Sequence, residues 1–212
     1  MLVATFPAGP LGCNCTIIAD PSSLKAIVID PGGDFEEIKL RLEKHQLSVV
    51  SIVHTHTHFD HVGATRQLQD LTGASAHIHE ADRFMYQMLG VQTAVFGFET
   101  PRSAEVSGDL LDQHSLHCGS IELTILHTPG HSPGSVCFLA NDETEQVLLS
   151  GDTLFRHGLG RTDLWGGDQN TLVRSIKSKL FTLEDSLLVI PGHGPNTTIG
   201  EERERSPIAQ WV

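Results

Sequence analysis

Residues 55–61 read Thr-His-Thr-His-Phe-Asp-His, which sets His56, His58, Asp60 and His61 within six residues. So many ligand-type side chains in so short a run need a rigid frame to aim them, and they need partners from elsewhere in the chain. Three later blocks supply them: Thr128-Pro129-Gly130-His131, Ser150-Gly151-Asp152-Thr153 and Pro191-Gly192-His193-Gly194. Each follows an apolar run (Ile125-Leu126, Val147-Leu148-Leu149, Leu187-Leu188-Val189-Ile190) and sits beside Gly or Pro. A strand end next to such residues is where rigid scaffolds place functional side chains. Nitrogen and oxygen ligands of this kind suit zinc, iron or manganese. His56, His58, Asp60, His61, His131, Asp152 and His193 are too many for one tetrahedral ion, and they fit two ions sharing a bridging carboxylate. The other histidines, such as His45, His77, His114 and His127, fall outside these blocks and read as surface or satisfied core residues.

The pattern around these blocks alternates strands and helices. Leu2 to Phe6, Cys13 to Ala19, Ala26 to Asp30, Val49 to His54 and residues 75–79 are short apolar or β-branched runs, hence strands. Asp34 followed by Glu37 resembles a capping box, with Ile38, Leu42 and His45 continuing at helical spacing. A second helix is expected over Asp60 to Leu71, stopping at Gly73, and a third over Glu80 to Leu89, stopping at Gly90. The second helix would put Asp60 and His61 at a helix N-terminus, with His56 and His58 on the preceding loop. The bland role for Asp60 there is a helix N-cap. Residues 91–108 show no clear period and include Gly97, Pro101 and Gly108, so they read as a loop or flap. Ser120 to His127, Ser135 to Leu139, Gln146 to Ser150 and Leu187 to Ile190 read as strands, with a helix over about Asp168 to Leu180.

The 212 residues suit one domain, 1–212, with 39% hydrophobic and 19% charged residues, as in a globular chain. A net charge of -12 argues against a broad nucleic-acid surface. The first 20 residues hold no Lys or Arg and are broken by Pro7, Gly9, Pro10 and Gly12. They read as neither signal peptide nor membrane span, which leaves a cytoplasmic location as the expectation. Four Cys are too few for a disulfide framework. Cys13 and Cys15 alternate along a strand, should share one face, and read as small apolar residues.

Taken in order from Asp30-Pro31-Gly32-Gly33 to Pro191-Gly192-His193-Gly194, these motifs resemble the metallo-β-lactamase fold superfamily. The resemblance implies an α/β four-layer αβ/βα sandwich. It implies that His56, His58 and His131 hold a first metal, that Asp60, His61 and His193 hold a second, and that Asp152 bridges them. Asp30 falls at the family's early strand-end aspartate and would orient the site rather than bind metal. Two divalent ions are implied, Zn2+ in first place with Fe or Mn as alternatives. Asp60 would also be the catalytic carboxylate, orienting the attacking water and passing a proton to the leaving group.

Within the superfamily, Gly151-Asp152-Thr153-Leu154-Phe155 followed by Gly158-x-Gly160-Arg161 resembles the glyoxalase II group. The short form, with Gly-Arg-Thr-Asp at 160–163 and Gly-Gly-Asp at 166–168, looks like small bacterial type II members without the C-terminal helical substrate domain. The implied activity is hydrolysis of a small-molecule thioester, S-D-lactoylglutathione, with no membrane or nucleic-acid partner. Arg161 stands where the group carries a Lys for the glutathione carboxylate. An internal Arg161–Asp163 ion pair pinning the loop is the competing role for that arginine. The group's aromatic residue two positions on is Asp163 here, and its Tyr after the last ligand is replaced by Pro195. The rival class is the mononuclear-iron persulfide dioxygenases, which share Gly-Arg-Thr-Asp but carry Pro-Ala-His-Asp-Tyr where this chain has Pro191-Gly192-His193-Gly194-Pro195. A further alternative is another ester or lactone hydrolase of the same fold.

Overall fold

The computed structural model describes residues 1–210. The first half builds a six-stranded sheet from β1 (Leu2–Ala8), β2 (Cys13–Asp20), β3 (Lys25–Ile29), β4 (Ser48–Val53), β5 (Ser75–His77) and β6 (Val106–Ser107), in that order across the sheet. β1, β2 and β3 pair antiparallel, and β3 to β6 pair parallel. Parallel neighbours need crossovers, and the helices α1 (Phe35–Lys44), α2 (Phe59–Val62), α3 (Thr65–Thr72), α4 (Arg83–Gln87) and α5 (Leu89–Phe96) lie in those connections. The second half builds another six-stranded sheet from β7 (Ser115–Cys118), β8 (Ile121–His127), β9 (Val136–Asn141) and β10 (Gln146–Gly151), then β13 (Leu188–Pro191) and β14 (Thr197–Thr198). Between β10 and β13 come a small ribbon of β11 (Leu154–Phe155) and β12 (Gly158–Leu159), and the helix α6 (Gln169–Ser175), which continues as a π-helical turn over Ile176–Leu180. The helix α7 (Ile199–Arg205) follows β14.

Side-chain alternation sorts these elements into layers. On β2, Cys15, Ile17 and Ala19 pack with Ile38 of α1 and Leu68 of α3, whereas Ile18 points the other way, into a cluster with Ile125, Phe138 and Leu149 of the second sheet. The far face of the second sheet, with Leu148 and Val189, packs on Leu172 and Ile176 of the α6 region and Ile199 of α7. The result is helix, sheet, sheet, helix: the four-layer α/β sandwich expected from the sequence. The four cysteines are free and buried, and Cys13 and Cys15 lie in the same outward row of β2. No helix among the described residues is long and apolar enough to cross a membrane.

Most strand expectations hold to within a residue or two, but several helix boundaries do not. The helix expected over Asp60 to Leu71 is broken into α2 and α3, because the Ala64 amide leaves the helical ladder to donate to Pro31 O at 2.8 Å. A Cβ on Gly63 would also overlap Gly32 O, so the chain at the break lies directly on another backbone segment. The N-cap of α2 is His58, without a side-chain cap bond, so Asp60 is not a cap residue. Asp34 does not cap α1 with its side chain. It sits in the left-handed region (φ 49°), and its carboxylate accepts from the Gly9 amide at 2.9 Å instead. The helix expected to end at Gly90 breaks at Met88, and Gly90 lies inside α5, which runs to Phe96. Residues 91–108 are therefore not a bare loop. The sequence hides α5 because it buries Leu89, Gln92 and Thr93 but leaves Val91 and Val95 exposed, so no apolar stripe shows.

Phe138, fully buried between the two sheets, tests the layer assignment. Phe138→Ala should lower unfolding stability by about 3–5 kcal/mol through lost burial and a residual cavity. Leu40→Ala, on the exposed side of α1, should stay within about 0.5 kcal/mol. Urea titration at matched metal loading measures both, and equal shifts would contradict the packing described.

Candidate active site

Every block singled out in the sequence lies just past the C-terminal end of a strand. Asp30 follows β3, His56 to His61 follow β4, His131 follows β8, Asp152 follows β10 and His193 follows β13. β3 and β4 run parallel, as do β10 and β13. β8 runs with β10 because each is antiparallel to the β9 between them. The topology thus brings these strand ends to one rim of the sandwich, and the seven predicted ligands meet there.

His56, His58 and His131 form one group. His131 Nε2 lies 3.2 Å from His56 Nε2 and 2.9 Å from His58 Nδ1, and His56 Nε2 lies 2.9 Å from His58 Nδ1. These spacings cannot all be hydrogen bonds. His131 Nδ1 donates to Arg161 O at 2.8 Å, which leaves Nε2 a bare lone pair. Thr55 Oγ1 gives its proton to Asp30 Oδ2 at 2.6 Å, so His56 Nδ1 donates to Thr55 Oγ1 at 3.1 Å and His56 Nε2 is a lone pair too. Two inward lone pairs this close favour a shared cation. Tetrahedral zinc with bonds near 2.0–2.1 Å would put ligand nitrogens roughly 3.3 Å apart, so the three rings fit a metal ion. Burial, reinforced by the neighbouring imidazoles, holds His56 and His58 well below the ordinary histidine range, which keeps both neutral.

Asp60, His61 and His193 form the second group. His61 Nδ1 donates to Asp30 Oδ2 at 3.0 Å, with Cys13 Sγ at 3.3 Å, so His61 Nε2 carries a lone pair. That atom has no hydrogen-bond partner, although it is fully buried. It faces Asp60 Oδ2 at 3.6 Å and Asp152 Oδ1 at 3.4 Å. His193 Nε2 lies 3.1 Å from Asp60 Oδ2. Burial works to lower His61, but the carboxylates of Asp60, Asp152 and Asp30 outweigh it and hold it well above its usual value. The pocket therefore demands positive charge at that point. Burial likewise works to raise the Asp60 carboxyl, and His61 and His193 overcome it and hold it low. Cys13, pushed up to about 12 by burial, stays a neutral thiol.

Asp152 lies between the groups and splits its two oxygens. Oδ2 is 3.6 Å from His131 Nε2, while Oδ1 faces His61 Nε2 at 3.4 Å and His193 Nε2 at 3.9 Å. Oδ1 is buried without a hydrogen-bond partner, as is His61 Nε2. Such orphaned atoms in a ring of imidazoles and carboxylates fit divalent metal ions. Asp30 accepts from the Thr55 amide, the Thr55 hydroxyl and His61, so its oxygens are already engaged. It holds this position at φ 48°, a strained conformation for a residue with a side chain. Close backbone packing completes the frame: a Cβ on Gly32 would overlap Asp60 O, and one on Gly192 would overlap Asp152 Oδ1.

Over the ligands opens a cleft walled by Leu11, Phe59, Phe96 and Leu164, with Arg161 at its edge. Phe59 stacks on Phe96 with ring centroids 5.8 Å apart, so the end of α5 forms one wall. Arg161 is paired with Asp163, the ion pair weighed in the sequence against substrate binding.

Two residues that hold the site went unrecognised in the sequence. Asp82, fully buried, accepts from the Thr57 amide at 3.1 Å, the Ser132 hydroxyl at 2.8 Å and the Gly134 amide at 2.5 Å. It ties the loop of His56 and His58 to the loop of His131. Burial raises its carboxyl above the usual range. Gln92 accepts from the Phe59 amide at 3.0 Å and donates to Thr57 O at 3.2 Å and Met85 O at 2.9 Å, fixing the same loop from α5. Asp82 falls in a segment that reads as an ordinary helix start, and Gln92 in one without a period. Only their depth marks them. Asp82→Asn turns an amide toward at least one of these donors and should cost about 1–3 kcal/mol. Its metal retention against a chelator should fall with it, as followed by elemental analysis. A variant equal to the parent in both would remove Asp82 from the frame.

The chain is 36% identical to the hydroxyacylglutathione hydrolase GloC of Haemophilus influenzae, covering 98% of both chains. The crystal structure of BLEG-1, a B3 metallo-beta-lactamase, superposes with a TM-score of 0.89 at 36% identity, covering 99% of this chain and 100% of that one. A protein crystallised in a di-iron-bound form superposes with a TM-score of 0.83 at 32% identity, over 98% of this chain and 99% of that one. The profile of the metallo-beta-lactamase superfamily matches residues 8–193, and this chain belongs to that superfamily.

Proposed function

We propose that this metallo-hydrolase cleaves thioesters, with S-D-lactoylglutathione as substrate and D-lactate and glutathione as products. His56, His58 and His131 would hold one divalent ion, Asp60, His61 and His193 a second, and Asp152 would bridge them. The observation that carries the metal reading is the split of the Asp152 oxygens between the two nitrogen groups. Zinc is the first choice, and iron or manganese suits the same nitrogen and oxygen donors. The glutathione reading is supported by the likeness to GloC and by Arg161, the cation that lines the cleft among the described residues.

When bound, two such ions polarise the substrate carbonyl and lower the pKa of a water between them toward neutrality. The remaining work falls to the chain. Asp60, ionised and hydrogen-bonded to His193, is placed to accept the proton of the attacking water and return it to the departing thiolate. Asp30 and Arg161 O fix the tautomers of His61 and His131, so that both present lone pairs. Leu11, Phe59, Phe96 and Leu164 limit water access to the carbonyl and offer apolar contact to the acyl group.

Metal-replete protein should carry about two transition-metal ions per chain, and Asp152→Ala should lose metal and more than about 100-fold in activity, beyond the 10–100-fold usual for residues behind a metal site. His45→Ala and His114→Ala, outside the site, serve as controls. At most one ion in the parent protein, or full activity in Asp152→Ala, would end the two-metal reading.

The substrate test incubates the same preparation with S-D-lactoylglutathione, with glutathione persulfide and with a β-lactam in parallel. Loss of thioester absorbance without oxygen uptake is the expected result, and Arg161→Ala should raise KM more than it lowers kcat. Oxygen consumption with the persulfide and no thioester cleavage would replace the hydrolase with a dioxygenase, and cleavage of the β-lactam alone would make it a lactamase.

A further inference from the structure

Arg161 stands at the edge of the cleft, but its planar donor face is already engaged. Nε meets Asp163 Oδ1 at 2.7 Å and Nη2 meets Oδ2 at 2.8 Å, a bidentate pairing. These are the two parallel donors that a substrate carboxylate would use. Both partners are more than half exposed, at 53% and 69%, and an exposed pair of this kind shifts an equilibrium by only a few-fold.

The pair is not needed to hold the loop. The Arg161 carbonyl is fixed by His131 Nδ1 at 2.8 Å, a Cβ on Gly160 would overlap Asp152 O, and the Asp168 amide donates to Gly130 O at 2.8 Å. The backbone at 160–161 is thus set by the metal-site residues themselves. Besides Arg161, the Asp163 carboxylate bonds its own amide. Among the described residues, its side chain holds no other element of the fold in place.

We infer that Asp163 is an internal competitor for Arg161: a carboxylate on the thiol half of a substrate enters the guanidinium fork only by displacing it, so Asp163 sets how strongly the cleft discriminates carboxylate-bearing from neutral thioesters. This inference rests on the thioesterase reading above. The competition is direct exchange at two hydrogen bonds, sharpened by repulsion between the two like charges. It assigns the specificity of the cleft to an exposed, weakly held pair rather than to the buried ligand cluster.

The test compares S-D-lactoylglutathione with the lactoyl thioester of N-acetylcysteamine, whose thiol half is neutral, on the metal-replete parent and on Asp163→Asn. The ratio of kcat/KM for the anionic over the neutral thioester should rise about 2–5-fold in Asp163→Asn, carried by KM, the range expected for removing an exposed ion-pair partner. The KM for the anionic substrate should also become more salt-dependent. In the double variant Arg161→Ala/Asp163→Asn the rise should vanish. An unchanged ratio, or an equal fall for both substrates with loss of bound metal, would make the pair a loop pin and overturn the inference. If the parent cleaves neither thioester, the thioesterase reading fails and this inference fails with it. If the parent cleaves both and the ratio does not move, only the inference fails.

Discussion

The structure depends on a collision of lone pairs. Hydrogen bonds to Arg161 O and Thr55 Oγ1 turn His131 Nε2 and His56 Nε2 toward each other at 3.2 Å. Asp30 does the same to His61, aiming its Nε2 at the carboxylates of Asp60 and Asp152. Each arrangement is unfavourable without positive charge at its centre, and burial makes it more so. The fold therefore spends stability to build a cluster that only cations relieve. Metal binding and the integrity of this rim should be strongly linked.

Holding such a cluster needs a frame that cannot relax. The strand ends supply direction, and close backbone contact supplies stiffness. Gly32 lies against Asp60 O and Gly192 against Asp152 Oδ1, where any side chain would force the ligands apart. Asp30 keeps a left-handed backbone so that its carboxylate can reach both Thr55 and His61. From the other side, Asp82 and Gln92 tie the His56–His58 loop down through buried hydrogen bonds. The ligands are thus positioned by groups that never touch the reacting atoms, as precise metal sites require.

Much of this was legible in the sequence, for a physical reason. Most of the strands that carry these residues, β4 excepted, are apolar runs closed by Gly or Pro, and the predicted ligands fall one to eight residues beyond them. Residue type and position therefore pointed the same way. The helices were read less well because tertiary contacts set their ends. α2 and α3 part where Ala64 bonds Pro31, and α5 shows no amphipathic stripe because it buries Gln92 and Thr93 beside Leu89 while Val91 and Val95 stay exposed. Asp82 and Gln92 were invisible for a related reason. A buried polar residue in a helix reads like a surface one until its distant partners, 25 to 52 residues away in the chain, are in place.

The site thus divides into two parts under different physical control. The ligand cluster is buried, over-determined and costly to disturb, since one lost contact leaves a charge or lone pair without an answer. The Arg161–Asp163 pair is exposed and held by little more than itself, so a change there costs a fraction of what a change at Asp152 would. Substitution at the edge can therefore alter which substrate is accepted while the buried cluster keeps its chemistry. A frame of this kind lets one rim of strand ends serve relatives as different as a hydroxyacylglutathione hydrolase and a metallo-beta-lactamase.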